Sequence, residues 1–300
     1  MNRVTQHPVQ AYLAALGAVA VLSIMDAVMK ALVLAIGIYA VSIWRSLLNF
    51  ILTSSLYLPR RLPWPTRRVL RIHLLRGAVT MVMAALFFWG IGRVPLAQAI
   101  ALTFIAPLIA LLLAAVLLDE KIGPRSIAGS FLAFAGVIVI VMGQARADVG
   151  RDVLLGSVAI IGSALCYAVN IVLMRRQALA AKPLEINFFQ SLTVLFLWAL
   201  FIPVAGFPVF PSLDWQWVVV ASLLSTAGGL LFAWAYARGE AGYLSTTEYS
   251  GFLWAAALGW LVFREPVSLY TLAGAVLIVG GCIFAARQKM KEPGELELVT

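Results

Sequence analysis

Ten apolar runs, each about as long as a membrane-crossing helix, follow one another along this chain of 300 residues with only short breaks. A helix needs roughly 20 apolar residues to cross the hydrocarbon of a bilayer. The runs lie at about residues 9–29, 38–58, 69–92, 95–118 and 124–143, then 151–174, 185–205, 215–237, 242–263 and 267–286. Prolines and charges mark the joints: Pro59, Arg60, Arg61, Pro63 and Pro65; Arg93 and Pro95; and later Arg264 to Pro266. A β-barrel also satisfies its backbone in lipid, but its strands alternate polar and apolar residues in runs of about ten. These runs do not alternate, so they read as helices. Composition agrees, because 63% hydrophobic and 12% charged residues leave too little polar material to cover a soluble domain. The first run is long and lacks a small-residue cleavage site, and is read as a retained span.

The net charge of +9 belongs to topology rather than to a nucleic-acid surface. Sixteen Lys and Arg residues fall on the N-terminal side of the expected spans and five on the other, with Arg45 inside a span. Cytoplasmic loops collect basic residues, so both termini are expected in the cytoplasm with an even number of spans. Cys166 and Cys282 lie within apolar runs and read as packing residues.

The chain also resembles itself. Shifted by 145 residues, Leu86, Phe87, Trp89 and Arg93 fall on Leu231, Phe232, Trp234 and Arg238. Phe104 falls on Tyr249, Glu120 on Glu265, and Lys30 on Arg175. Leu and Ala coincidences are cheap in apolar sequence, whereas Trp, Arg and Glu matches in one register are not. Each unit holds five spans, an odd number, so the second copy must enter from the opposite face. The expected fold is an all-α polytopic membrane protein, ten transmembrane helices as two inverted five-helix repeats, over 1–148 and 149–300. Such repeats serve carriers that alternate between inward-open and outward-open states.

Two stretches carry a family resemblance: Pro95-Leu-Ala-Gln-Ala-Ile-Ala-Leu-Thr-Phe-Ile-Ala-Pro107 with Leu117-Leu-Asp-Glu120, and Arg264-Glu265-Pro266. With the small-residue spans that follow each, they resemble the EamA-type, ten-helix branch of the drug/metabolite transporter superfamily over almost the whole chain. The resemblance implies a bacterial inner-membrane location and a central cavity lined by spans 1, 3, 4, 6, 8 and 9, with spans 5 and 10 peripheral. It also implies export of amino acids and related metabolites, with uptake of riboflavin, S-adenosylmethionine or a similar metabolite as the alternative. Arg45 matches an Arg common at that place in the family, but its repeat mate is Gln190, so no symmetric arginine pair exists.

Ionisable groups inside spans are costly and are candidates for function. Asp26 and Lys30 stand at i,i+4 on span one, a spacing that suits an ion pair. The other reading of Asp26 is a proton or substrate-amine site. Arg45 either pairs with Asp26 or neutralises a substrate carboxylate. Glu248, expected about two turns into span nine with no basic residue at i±3 or i±4, is a candidate for a substrate ammonium or a coupling proton. Gln98, Thr103 and Asn170 are polar groups suited to an amino acid, as is Asn187 at lower rank, although such groups also serve as interhelical glue. Tyr167, Tyr249 and Trp254 form a candidate ring-binding wall, while Trp89 and Trp234 read as belt residues at span ends. Pro107 is a candidate hinge. Gly129 with Ala133, and Gly274 with Gly280 and Gly281, read as close-packing positions, leaving monomer or homodimer open.

A membrane enzyme is disfavoured because His7 and His73 belong to no metal or acid–base cluster. No cofactor or metal is expected. An ATP-driven pump would need a GK[ST] phosphate loop, which the sequence lacks. Short loops leave no soluble domain for a scaffold or sensor. A small-molecule carrier in the lipid bilayer is the expected function, with a channel separable from it only by flux.

Overall fold

The computed structural model describes residues 8–60, 64–106, 109, 113, 124–146, 150–178, 180–236 and 245–286, and among them every regular element is helical. The helices are α1 (Pro8–Tyr57), α2 (Arg67–Ile91), α3 (Leu96–Thr103), α4 (Pro124–Arg146) and α5 (Arg151–Ala178). They continue as α6 (Pro183–Ala199), the short α7 (Ile202–Ala205), α8 (Trp215–Tyr236), α9 (Gly251–Phe263) and α10 (Leu269–Ala286). Pro107 and Glu120 lie outside the described residues.

Local sequence explains the joints. Thr66 caps α2 with its hydroxyl, which accepts from the backbone N–H of Val69. Gly37, at φ 78 and ψ 156, breaks α1 into limbs 8–36 and 38–57. That conformation is nearly exclusive to glycine. The expected loop over residues 30–37 is therefore absent: Ala31 to Ile36 extend the first limb, because an apolar run in lipid has no reason to leave the helix. A second departure concerns Glu248. Ser245–Ser250 form a 3-10 turn, and α9 starts only at Gly251. The hydroxyl-rich Ser-Thr-Thr-Glu-Tyr-Ser segment competes with helical bonding through its own side chains, and the Ser250 hydroxyl donates to the Thr247 carbonyl at 2.6 Å.

Five described stretches are long and apolar enough to cross a membrane: Val9–Arg60, which holds both limbs of α1, Arg67–Ile91, Arg151–Met174, Leu184–Ala205 and Trp215–Phe232. Shorter apolar segments cover Ile127–Gly143 and Leu269–Gly281. The protein is a multi-pass membrane protein.

The helices pack in pairs: α1 along α8, α2 along α5, α4 along α10, and α3 against α9. Small residues set the α4–α10 approach. A Cβ added to Gly136 would stand 2.6 Å from the Gly274 carbonyl oxygen, and one added to Gly281 would stand 2.5 Å from that of Gly129. Such backbone proximity is how helices associate where lipid removes the hydrophobic drive. Gly280 does not share this role, since an added Cβ there meets nothing within 4 Å. On the outer faces Phe131, Leu253, Val276 and Trp260 are exposed, as lipid contact requires.

Candidate functional site

A cavity of about 420 Å³ opens between α1, α2, α3, α5, α6 and α8. Its size lies within the range of small-molecule sites. The first limb of α1 contributes Leu22, Met25 and Asp26, and the second Arg45, Ser46, Asn49 and Thr53. Thr80, Phe87 and Phe88 enter from α2, Thr103 from α3, and Ser163 with Tyr167 from α5. Asn187, Gln190 and Ser191 come from α6, and Ser225 with Thr226 from α8.

Arg45, Asn49 and Thr53 recur every fourth residue, so they share one face of the second limb. This polar stripe inside an apolar run is a readable signal that single-residue inspection misses. Spans two and seven thus line the cavity alongside spans one, three, four, six and eight, whereas no described residue of span nine is among its lining residues.

Of the candidate residues, the structure brings Asp26, Arg45, Thr103, Tyr167 and Asn187 to the cavity wall. Glu248 stands behind it, its carboxylate accepting from the Tyr167 hydroxyl at 3.4 Å. Gln98 is buried away from the cavity and donates to the Ser157 hydroxyl at 3.4 Å. Asn170 is engaged elsewhere, its Oδ1 accepting from Arg76 Nε at 2.9 Å. The ring wall is assembled differently from expectation. Tyr249 packs edge-on to Phe104 at 5.5 Å, and the Trp254 side chain is exposed, so the cavity rings are Phe87, Phe88 and Tyr167.

Asp26 and Arg45 make no ion pair with each other. The Arg45 guanidinium sits 5.1 Å from the Phe88 ring centre, and its Nε is buried without a hydrogen-bond partner. The Asn49 Oδ1 is likewise buried and unpartnered.

Each end of the bundle carries a separate polar cluster. At the end where Gly37 turns the chain, Lys30 does not pair with Asp26. Its ammonium donates to the Val94 carbonyl at 2.7 Å and forms an ion pair with Glu265. The second Glu265 oxygen accepts from the Leu96 N–H at 2.8 Å, at the first turn of α3. There it satisfies an otherwise orphan donor and complements the helix dipole. Arg264 adopts a left-handed conformation, φ 57, at the α9–α10 junction just before Glu265. A long-range contact therefore displaces the local i,i+4 pairing, because Glu265 also brings the backbone of α3 into the network.

At the opposite end, His73 of α2 pairs with Glu185 of α6 at 3.1 Å and bonds Gln177 of α5. Gln177 also accepts from Arg76, and the His73 ring stacks on Phe189 at 5.0 Å. Three helices are tied together there. A buried cation and a wholly buried histidine are satisfied at once.

Two segments of the chain, residues 9–142 and 154–287, match the EamA-like transporter family. The chain belongs to the EamA-like transporter family. The two matches start 145 residues apart, the same offset as the internal similarity. A pseudopaline exporter of Pseudomonas aeruginosa is 28% identical over 226 residues, covering 75% of this chain and 78% of that one. A riboflavin transporter of Rhizobium johnstonii is 26% identical over 227 residues, covering 73% and 71%. A riboflavin transporter of Vibrio cholerae is 26% identical over 230 residues, covering 73% and 72%. One solved crystal structure superposes with a TM-score of 0.61 at 21% identity, over 94% of this chain and 99% of the other. That likeness concerns the fold.

Proposed function

We propose that this EamA-like protein is a secondary transporter that exports amino acids, large neutral and aromatic ones among them, and related metabolites by alternating access. The observation that carries the reading is a cavity with an acid and a base in its wall, set between two polar clusters at opposite ends of the bundle. Ten spans in two inverted halves, near 1–148 and 149–300, would give the cavity equivalent routes to either face. The pairings support that arrangement. A shift of 145 residues carries the first limb of α1 onto α5 and α2 onto α8, so the α1–α8 and α2–α5 contacts exchange, while α4 and α10 exchange within one pair.

Both termini lie in the cytoplasm in this reading, which the distribution of basic residues supports, and the family resemblance implies a bacterial inner membrane. Glu248, bonded to Tyr167 in the wall, and Asp26 are the groups proposed to carry a coupling proton.

The second reading is uptake of riboflavin, S-adenosylmethionine or a similar metabolite. Relatives named riboflavin transporters and the Phe87, Phe88 and Tyr167 rings favour it. Counterflow into proteoliposomes preloaded with each solute separates the two. A panel of labelled phenylalanine, riboflavin and S-adenosylmethionine is expected to give a transient overshoot with phenylalanine. Overshoot confined to riboflavin or S-adenosylmethionine selects the second reading, and linear flux that never saturates describes a pore.

A further inference from the structure

We propose that Arg45, Asn49 and Asp26 form a two-ended clamp for a zwitterion, with Arg45 taking the carboxylate and Asp26 with Asn49 taking the ammonium; this rests on the transporter reading above.

Buried polar atoms in folded proteins are nearly always hydrogen-bonded, and buried charges are paired. The cavity wall departs from both rules at one place. Arg45 Nε, a donor, and Asn49 Oδ1, an acceptor, are buried without partners. Asp26 has no hydrogen bond or ion pair among the described residues, although it shares the cavity with Arg45. Elsewhere the described buried charges are satisfied: Lys30 by Glu265 and Val94, Arg76 by Asn170 and Gln177. The buried hydroxyls of Ser54 and Tyr57 also lack partners, but they do not line the cavity; Arg45, Asn49 and Asp26 are the groups that share its wall and can reach an occupant.

The geometry also holds them ready. The face of the Phe88 ring steadies the guanidinium without consuming a donor, leaving its fork free for a bidentate carboxylate. Arg45 and Asn49 stand one helical turn apart, about 5–6 Å at their Cβ atoms, a separation that a small zwitterion bridges. Asp26 lines the same cavity from the other limb of the same bent helix. A neutral solute would leave both charges unmatched. A simple amine or a simple acid would match one.

The clamp is confined to the first half of the chain. At the 145-residue offset Asp26 meets Ile171, Arg45 meets Gln190 and Asn49 meets Val194. The charged end of the solute therefore stays with the first half in both access states, and the second half supplies neutral wall.

The test measures inhibition of counterflow of the most active panel solute in proteoliposomes holding the full chain. The competitors are phenylalanine, phenethylamine, which lacks the carboxylate, and 3-phenylpropionate, which lacks the ammonium. A charged hydrogen bond carries about 10- to 100-fold in affinity, so phenylalanine should inhibit at concentrations lower by that factor than either analogue. Arg45→Gln should bring phenylalanine to the level of phenethylamine without weakening phenethylamine. Asp26→Asn should bring it to the level of 3-phenylpropionate. Equal potency of the three ligands on the native protein, or variants that weaken all three alike, would overturn the clamp.

Thermal stabilisation of the native protein in detergent by the same three ligands gives a ranking that needs no variant to fold. Saturable riboflavin counterflow insensitive to phenylalanine overturns the clamp and leaves a transporter. No saturable counterflow with any solute overturns the transporter reading and the clamp together.

Discussion

Replacing Glu265 by Gln attacks the network that ties α1, α3 and the α9–α10 junction. The Lys30 side chain is only 4% exposed and that of Glu265 20% exposed, so water can do little to solvate an ammonium that loses its counter-ion. Removing one member of a buried ion pair costs about 3–5 kcal/mol. Glutamine keeps an acceptor for either Lys30 or the Leu96 N–H, not for both, and the partial exposure of Glu265 lets water screen the remainder. The expected loss is therefore at the lower end, about 3 kcal/mol. Lys30→Met combined with Glu265→Gln removes the stranded ammonium, and should recover about 2 kcal/mol of that loss. Equilibrium unfolding in mixed micelles measures both values. A single variant within about 0.5 kcal/mol of the native protein, a change typical of surface substitutions, would refute the reasoning. So would a double variant no more stable than the single one.

Gly37→Ala should cost about 1–3 kcal/mol in the same unfolding assay, through backbone strain alone, because nothing lies within 4 Å of the added methyl. Gly136→Ala drives a methyl against the backbone of Gly274 on α10 and should cost about 1–3 kcal/mol, whereas Gly280→Ala, facing open space, should cost nothing or stabilise slightly. Glu248→Gln should flatten the dependence of transport on pH; unchanged rates with an unchanged profile would remove Glu248 from proton coupling.

Much of the architecture is readable because lipid demands long apolar helices, and the runs at 69–92, 151–174 and 215–237 lie close to α2, α5 and α8. Where reading failed, a local rule lost to a distant contact or to backbone conformation. Residues 31–36 carry no polar signal, so one glycine hides the turn between two limbs of α1. Glu248 sits in an apolar context, but its hydroxyl-bearing neighbours hold it in a 3-10 turn. Lys30 has a suitable partner four residues away, yet pairs with Glu265 at a sequence distance no periodicity reveals.

The cavity shows the same limit. Arg45 and Asp26 stand out because charge in a span is rare, and that rarity is visible in sequence. Gln98 and Asn170 look equally suited to a solute until Ser157 and Arg76 are seen to occupy them. Gln190 gains interest only from the cavity that the folded helices enclose, whereas Asn49 is legible in the sequence through the stripe it forms with Arg45 and Thr53. Family membership follows from the two matched segments, whereas the solute depends on a handful of wall residues that such a match does not constrain.

Alternating access through this cavity is tested most directly by a cysteine at Ser163, in the cavity wall, with Cys166 and Cys282 replaced. Labelling with a membrane-impermeant maleimide from each face of oriented vesicles is expected to modify this position from both sides, and saturating solute should protect it from both. Modification from one face only, whatever solute is present, would contradict the account.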